Sequence, residues 1–211
     1  MMELPLLTIV IALASVLVSL TIHEAMHAFT SYWLGDNTAK HEGRLTFNPL
    51  AHIDLLTTIA LPVFLAIIGA PIFGAAKPVP FNPERLRGGD FGAAAVALAG
   101  PLSNLILAAL AGVGIMLGAS GLWQTVLLLF MQVNVGFFIF NMIPFPPLDG
   151  SRLLYAVAPE PVRGVMRSIE SLGFVAILVF IFIFYSFLSR PFSVVMINVM
   201  NFLTGGAVRF S

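Results

Sequence analysis

The chain has 211 residues, of which 59% are hydrophobic and only 9% charged, with ten Lys and Arg against ten Asp and Glu. Soluble domains carry about 25% charged residues, so a soluble globular domain, a disordered chain and a phosphate-neutralising nucleic-acid binder are all excluded. No cysteine is present, which removes disulfides, thiolate metal sites and cysteine nucleophiles, and leaves an integral membrane protein folded as one domain over residues 1–211.

A helix needs roughly 20 apolar residues to cross a bilayer. Five stretches lack Asp, Glu, Lys, Arg and His: 4–22, 55–76, 91–148, 171–189 and 191–208. The first predicts a helix near 4–34. Its opening, Met1-Met2-Glu3, has no basic region of the kind that starts a secretory signal, so it reads as a retained span. The stretch 55–76 contains Pro62, Gly69 and Pro71, and an internal proline bends a helix. Lys40 and Arg44 precede this stretch and Lys77 follows it. Basic residues mark cytoplasmic loops, so both ends fall on one side. A re-entrant segment fits that count better than the alternative, a kinked transmembrane helix. Its flanks, 43–48 and 76–82, read as extended, with Pro78 and Pro80 confining the second to an edge.

The run 91–148 is 58 residues long, too long for one helix. It divides at Gly118-Ala119-Ser120-Gly121 into helices near 91–117 and 122–145. A further span is predicted at 171–189. The tail 191–204 opens with Pro191 and is expected to lie in the interface or to cross only partly. The fold class is therefore an all-α bundle of about 4–6 transmembrane helices. It carries a short re-entrant or β-like element between the first span and the 91–117 span, with a core near 4–155 and C-terminal helices near 171–204. Lys40, Arg44, Lys77, Arg85, Arg87, Arg152, Arg163 and Arg167 place the N-terminus outside and these segments in the cytoplasm of a cell (plasma or inner) membrane. Arg190, falling outside, is the exception.

The first span contains His23-Glu24-Ala25-Met26-His27, the H-E-x-x-H pattern. Residues four apart share a helical face, so the two imidazoles can reach one metal. Glu24, one residue on, stands where a general base takes a proton from water. Ionisable residues at a helix centre cost about 2.5–3.5 kcal/mol each on insertion, so three within five residues imply function rather than packing. A catalytic zinc needs a third protein ligand and an open position. Asp149 is the first carboxylate after Asp90; it follows three prolines and precedes Gly150. That rigid loop sits at the cytoplasmic end of 122–145, and His27 lies in the cytoplasmic half of its own helix, so the two meet at similar depth.

These two motifs, His23-Glu24-Ala25-Met26-His27 and Asn141-Met-Ile-Pro-Phe-Pro-Pro-Leu-Asp149-Gly150, resemble those of the site-2 protease family of intramembrane zinc metalloproteases. Gly100-Pro101-Leu102-Ser103-Asn104 resembles a third family signature. Asn48–Asp54 and Lys77–Pro80 resemble the short prokaryotic branch. The resemblance covers residues 10–155 in family order and leaves no stretch for PDZ or CBS modules. It implies peptide-bond hydrolysis in or near the transmembrane segments of substrate proteins within the lipid bilayer. It also implies one zinc ion on His23, His27 and Asp149, with Glu24 as base. The family's substrate-presenting hairpin would map to parts of 41–50 and 76–82.

Asn141 and Asn104 are candidate substrate-binding residues, because an amide can donate to a substrate carbonyl or a developing oxyanion; the alternative is that each ties two helices together. Asn134 reads as such a tie. His52 and Asp54 form a possible gate or a supporting pair beyond the metal's ligands. A metal transporter or a non-catalytic metal-binding scaffold is the rival reading. A transporter needs ligands along a path, whereas this chain offers one compact set, and its 118–121 turn holds none.

Overall fold

The computed structural model describes residues 3–54 and 77–208. The 55–76 stretch, for which re-entry was expected, lies outside the described residues. Regular structure among the described residues is entirely helical. Among the described residues eight α-helices occur: α1 (Glu3–Trp33), α2 (Thr38–His41), α3 (Asp90–Met116), α4 (Gly121–Asn141), α5 (Asp149–Val157), α6 (Glu160–Ser171), α7 (Phe174–Ile183) and α8 (Ser189–Leu203).

Among the described residues four helical stretches are long and apolar enough to cross a membrane: Leu6–Trp33, Asp90–Met116, Gly121–Asn141 and Val175–Leu203. Their outer faces carry large apolar side chains such as Leu13, Ile106, Leu110 and Phe182 in the open, which lipid, not water, would cover. The chain is a membrane protein.

α3 is the centre of the bundle, packed by α1, α4, α5 and α8. Its buried face is mostly small, with Gly92, Ala93, Ala97, Gly100, Ser103, Ala108, Ala111 and Gly112 beside Val96, Pro101, Asn104 and Ile115. Lipid tails are as apolar as leucine, so helices in a membrane gain by close backbone approach rather than by apolar burial. Gly112 shows this directly, since a Cβ there would lie 2.5 Å from the Leu203 carbonyl oxygen of α8.

The ends of the elements depart from the sequence expectation in two places. α4 stops at Asn141 rather than near 145, because Pro144 disfavours helical geometry in the residue before it. The fourth span does not end at 189. α7 and α8 are joined by a π-helical turn, Phe184–Leu188, in which the Ser189 N–H reaches back five residues to the Phe184 carbonyl. A proline clashes with the carbonyl four residues before it and donates no hydrogen bond. Widening the turn just ahead of Pro191 accommodates both problems, so one continuous helix runs to Leu203 with Pro191 and Arg190 inside it. Phe145 and Phe180 stack with centroids 5.0 Å apart, and Phe140 lies 5.5 Å from Phe184, fastening this turn to the end of α4.

The extended flanks are also different. No strand occurs among the described residues. Residues 43–48 form bends leading into a 3-10 turn at Pro49–Ala51, and 77–82 is irregular chain leading into another at Pro83–Arg85. The chain from Lys77 to Arg87 is nevertheless held to the residues that follow α1. The Lys77 N–H donates to the His52 carbonyl at 3.0 Å and the Arg87 N–H to the Leu34 carbonyl at 2.8 Å. Buried Asp36 accepts from the Thr38 N–H and hydroxyl at 3.0 and 2.6 Å, and from the Asn82 N–H at 2.6 Å. Burial alone would raise its pKa, but these donors hold the carboxyl below its usual value.

Candidate metal centre

α1 brings His23, Glu24 and His27 to its buried side, where α3 passes. The His23 and His27 Nε2 atoms lie 3.0 Å apart. Asp149, the first residue of α5, places Oδ2 at 3.2 Å from His23 Nε2 and 3.4 Å from His27 Nε2. Gly150 makes that approach possible, since a Cβ there would run into the Met142 and Ile143 carbonyl oxygens. No other group of three or more His, Asp or Glu side chains among the described residues is arranged to hold a metal.

The far side of each imidazole fixes what the near side can do. His23 Nδ1 lies 2.6 Å from Asn104 Oδ1, and His27 Nδ1 lies 2.7 Å from the Val96 carbonyl oxygen. Both partners are acceptors, so both Nδ1 atoms carry the hydrogen and both Nε2 atoms present lone pairs. Asp149 Oδ2 is buried and has no hydrogen-bond partner. Three lone pairs thus converge with no donor between them, which is unfavourable unless a cation sits among them. Donors about 2.0–2.2 Å from a tetrahedral zinc stand about 3.3 Å from one another, as these three do. Two imidazoles and a carboxylate are three donors, the number that a catalytic zinc takes from protein, where a structural zinc takes four.

Gly100 closes the site from α3. A Cβ at this position would lie 2.5 Å from His27 Nε2 and 2.7 Å from His23 Nε2. Any side chain would occupy the place where the lone pairs meet.

Glu24 is buried, and its Oε2 accepts the Val79 N–H at 3.2 Å. Val79 lies between Pro78 and Pro80, so it is the only residue of the three with an N–H to give. The remaining sequence candidates are placed as follows. Asn104 is fully buried behind His23, with its Nδ2 donating to Asn134 Oδ1 and to the Ser19 carbonyl. Asn141, at the end of α4, is half-buried and donates to the Phe137 carbonyl at 3.0 Å. His52 is buried and donates from Nε2 to the Thr46 carbonyl at 2.9 Å. Neither His52 nor Asp54 belongs to the metal-binding group.

Sequence reasoning did not reach Val79 or the Val96 carbonyl, and it carried Gly100 only as part of a signature. A Pro-x-Pro bracket leaving one free N–H was the available signal for Val79. For Gly100 it was the four-residue spacing to Asn104, which puts both on one face of α3.

Comparison with known proteins gives the same chemistry. The chain is 37% identical over 175 residues to "Putative zinc metalloprotease YwhC" of Bacillus subtilis, covering 78% of this chain and 77% of that one. It is 29% identical over 181 residues to "Putative zinc metalloprotease Rip2" of Mycolicibacterium smegmatis, covering 81% and 66%. The Mycobacterium tuberculosis protein of the same name is 35% identical over 170 residues, covering 74% and 61%. No family model matches the chain, and no solved structure matches it. Likeness of this extent to the B. subtilis protein, in a membrane chain, shows that it belongs to the site-2 protease family of zinc metalloproteases.

Proposed function

We propose that this protein is an intramembrane protease that hydrolyses peptide bonds in or near the transmembrane segments of protein substrates. In this reading His23, His27 and Asp149 hold one zinc ion and Glu24 is the general base. The observation that carries it is the buried triangle of lone pairs, 3.0–3.4 Å on a side, set beside a buried carboxylate inside a span-length apolar helix.

Bound there, zinc supplies Lewis acidity and lowers the pKa of water to about 7. Glu24 takes the proton of the attacking water and gives it to the leaving amine as the C–N bond breaks. The Val79 N–H keeps the Glu24 carboxylate in place while it does so. Asn141 has one amide hydrogen committed to Phe137 and offers the other to the carbonyl under attack. The substrate must be locally unwound first, because a helix hides its carbonyls in internal hydrogen bonds.

The test is incubation of purified protein with single-span substrates, with and without a chelator, and mass spectrometry of the products. Cleavage within or next to the span, abolished by chelator and restored by zinc, is the expected result. Zinc-loaded protein that leaves every substrate intact would favour the metal-carrier reading instead.

We also infer that the N-terminus lies outside a cell membrane, with the metal centre towards the cytoplasm. The hydrogen bond joining His52 to Lys77 supports a common side for the two ends of 55–76. Single cysteines at positions 40 and 77 should therefore react with an impermeant reagent from the same, cytoplasmic side. Reaction from opposite sides would require 55–76 to cross.

A further inference from the structure

We propose that Asn134 of α4 is a positioning residue for the metal centre, acting through Asn104 to fix the tautomer of His23. This rests on His23 being a zinc ligand. Three helices contribute to the chain of hydrogen bonds. Asn134 Nδ2 donates to the Phe130 carbonyl at 2.8 Å, one turn back on α4. That acceptor is backbone and cannot turn, so the Asn134 oxygen must face away from it. There it accepts from Asn104 Nδ2 at 2.9 Å. Asn104 Oδ1 is thereby turned to His23 Nδ1, 2.6 Å away.

Each amide in this chain has one orientation that pairs donors with acceptors. With Asn104 reversed, its oxygen would face the oxygens of Asn134 and Ser19, and its NH₂ would face His23. His23 would then carry its hydrogen on Nε2, where the metal belongs. The Ser19 carbonyl resists that reversal too, but at 3.3 Å it is the weaker partner. Asn104 and Asn134 are both fully buried, so water does not substitute for a lost partner. Hydrogen bonds behind a metal-ligating histidine usually govern metal affinity by 10–100-fold. Here the control extends one residue further, to a side chain that reaches the metal only through two others.

The experiment uses the full chain in detergent. Zinc affinity is measured by chelator competition, and the tautomer of His23 in metal-free protein by ¹⁵N chemical shifts. Wild type should show hydrogen on Nδ1 of His23, whether or not Nε2 also takes a proton towards Asp149; hydrogen on Nε2 with Nδ1 bare would overturn the proposal without any variant. Asn134→Leu keeps the branched shape of the side chain and loses the acceptor. It should weaken zinc binding about 10-fold or more and move His23 towards the Nε2–H form.

Asn104→Asp supplies the rescue. A carboxylate shows oxygen to His23 whichever way it turns, and so needs no partner to orient it. The double variant Asn134→Leu, Asn104→Asp should bind zinc nearly as wild type does. A packing defect in Asn134→Leu would not be repaired this way, and failure of the rescue in a folded protein overturns the proposal. His23→Ala separates the two readings. If it keeps zinc, His23 is not a ligand and the parent reading fails; if it loses zinc while Asn134→Leu does not, only the relay fails.

Discussion

Glu24→Gln should leave bound zinc at the wild-type level while cleavage falls about 10²–10⁴-fold, the usual contribution of a positioned general base. The side chain keeps its size and can still accept the Val79 N–H through its amide oxygen. The 77–82 segment therefore has no cause to move, and only the capacity to take a proton is lost. Glu24 is not among the three groups that converge on the metal position, so the metal should be indifferent to the change. Metal analysis after gel filtration, run beside a cleavage assay, reads both quantities on one preparation. Cleavage within a few fold of wild type would remove Glu24 from the chemistry.

Asp149→Ala should abolish cleavage by the opposite route, through loss of the metal. The carboxylate supplies one of three donors and the only formal negative charge among them. Two imidazoles alone must then hold a dication in a buried site, where uncompensated charge is costly. Zinc should be absent after gel filtration or removed by a mild chelator that leaves the wild type loaded. No other His or carboxylate among the described residues joins the cluster, so no substitute ligand stands ready. If Asp149→Ala retains zinc as tightly as wild type, the triangle has been read wrongly. The two carboxylates thus have distinguishable losses, one of proton transfer and one of metal.

The spans were legible in the sequence because membrane insertion imposes length and apolarity on each segment separately. α1 and α3 came out within one residue at each end of the predicted helices. The residues of the metal centre were legible because ionisable groups are rare in such a chain, so His23, His27 and Asp149 stood out by contrast. What the sequence hid depends on contacts between segments. Pro191 reads as the opening of a separate tail that lies in the interface or crosses only partly, and the π-turn ahead of it lets the fourth span continue. The helices α5 and α6 were not anticipated, because they are short and lie where proline and charge interrupt the apolar runs. Asn104 read as a substrate contact or a tie between helices. The structure gives its oxygen to His23 and its amide hydrogens to Ser19 and Asn134. Which way an amide points is a property of its neighbours, and no local pattern records it.

The Pro78-Val79-Pro80 segment beside the base is one-sided as a hydrogen-bonding surface. Its two prolines have no N–H, and the valine has already given its own to Glu24. A peptide laid alongside these three residues would find no backbone hydrogen to accept, and could be held there only through its own amide hydrogens. Its carbonyls would then be left bare. A fully paired strand would do the reverse of what hydrolysis requires, since it would engage the same carbonyls that water must attack. A segment with no hydrogen to give could engage a chain only by that chain's donors, which would leave the electrophile free.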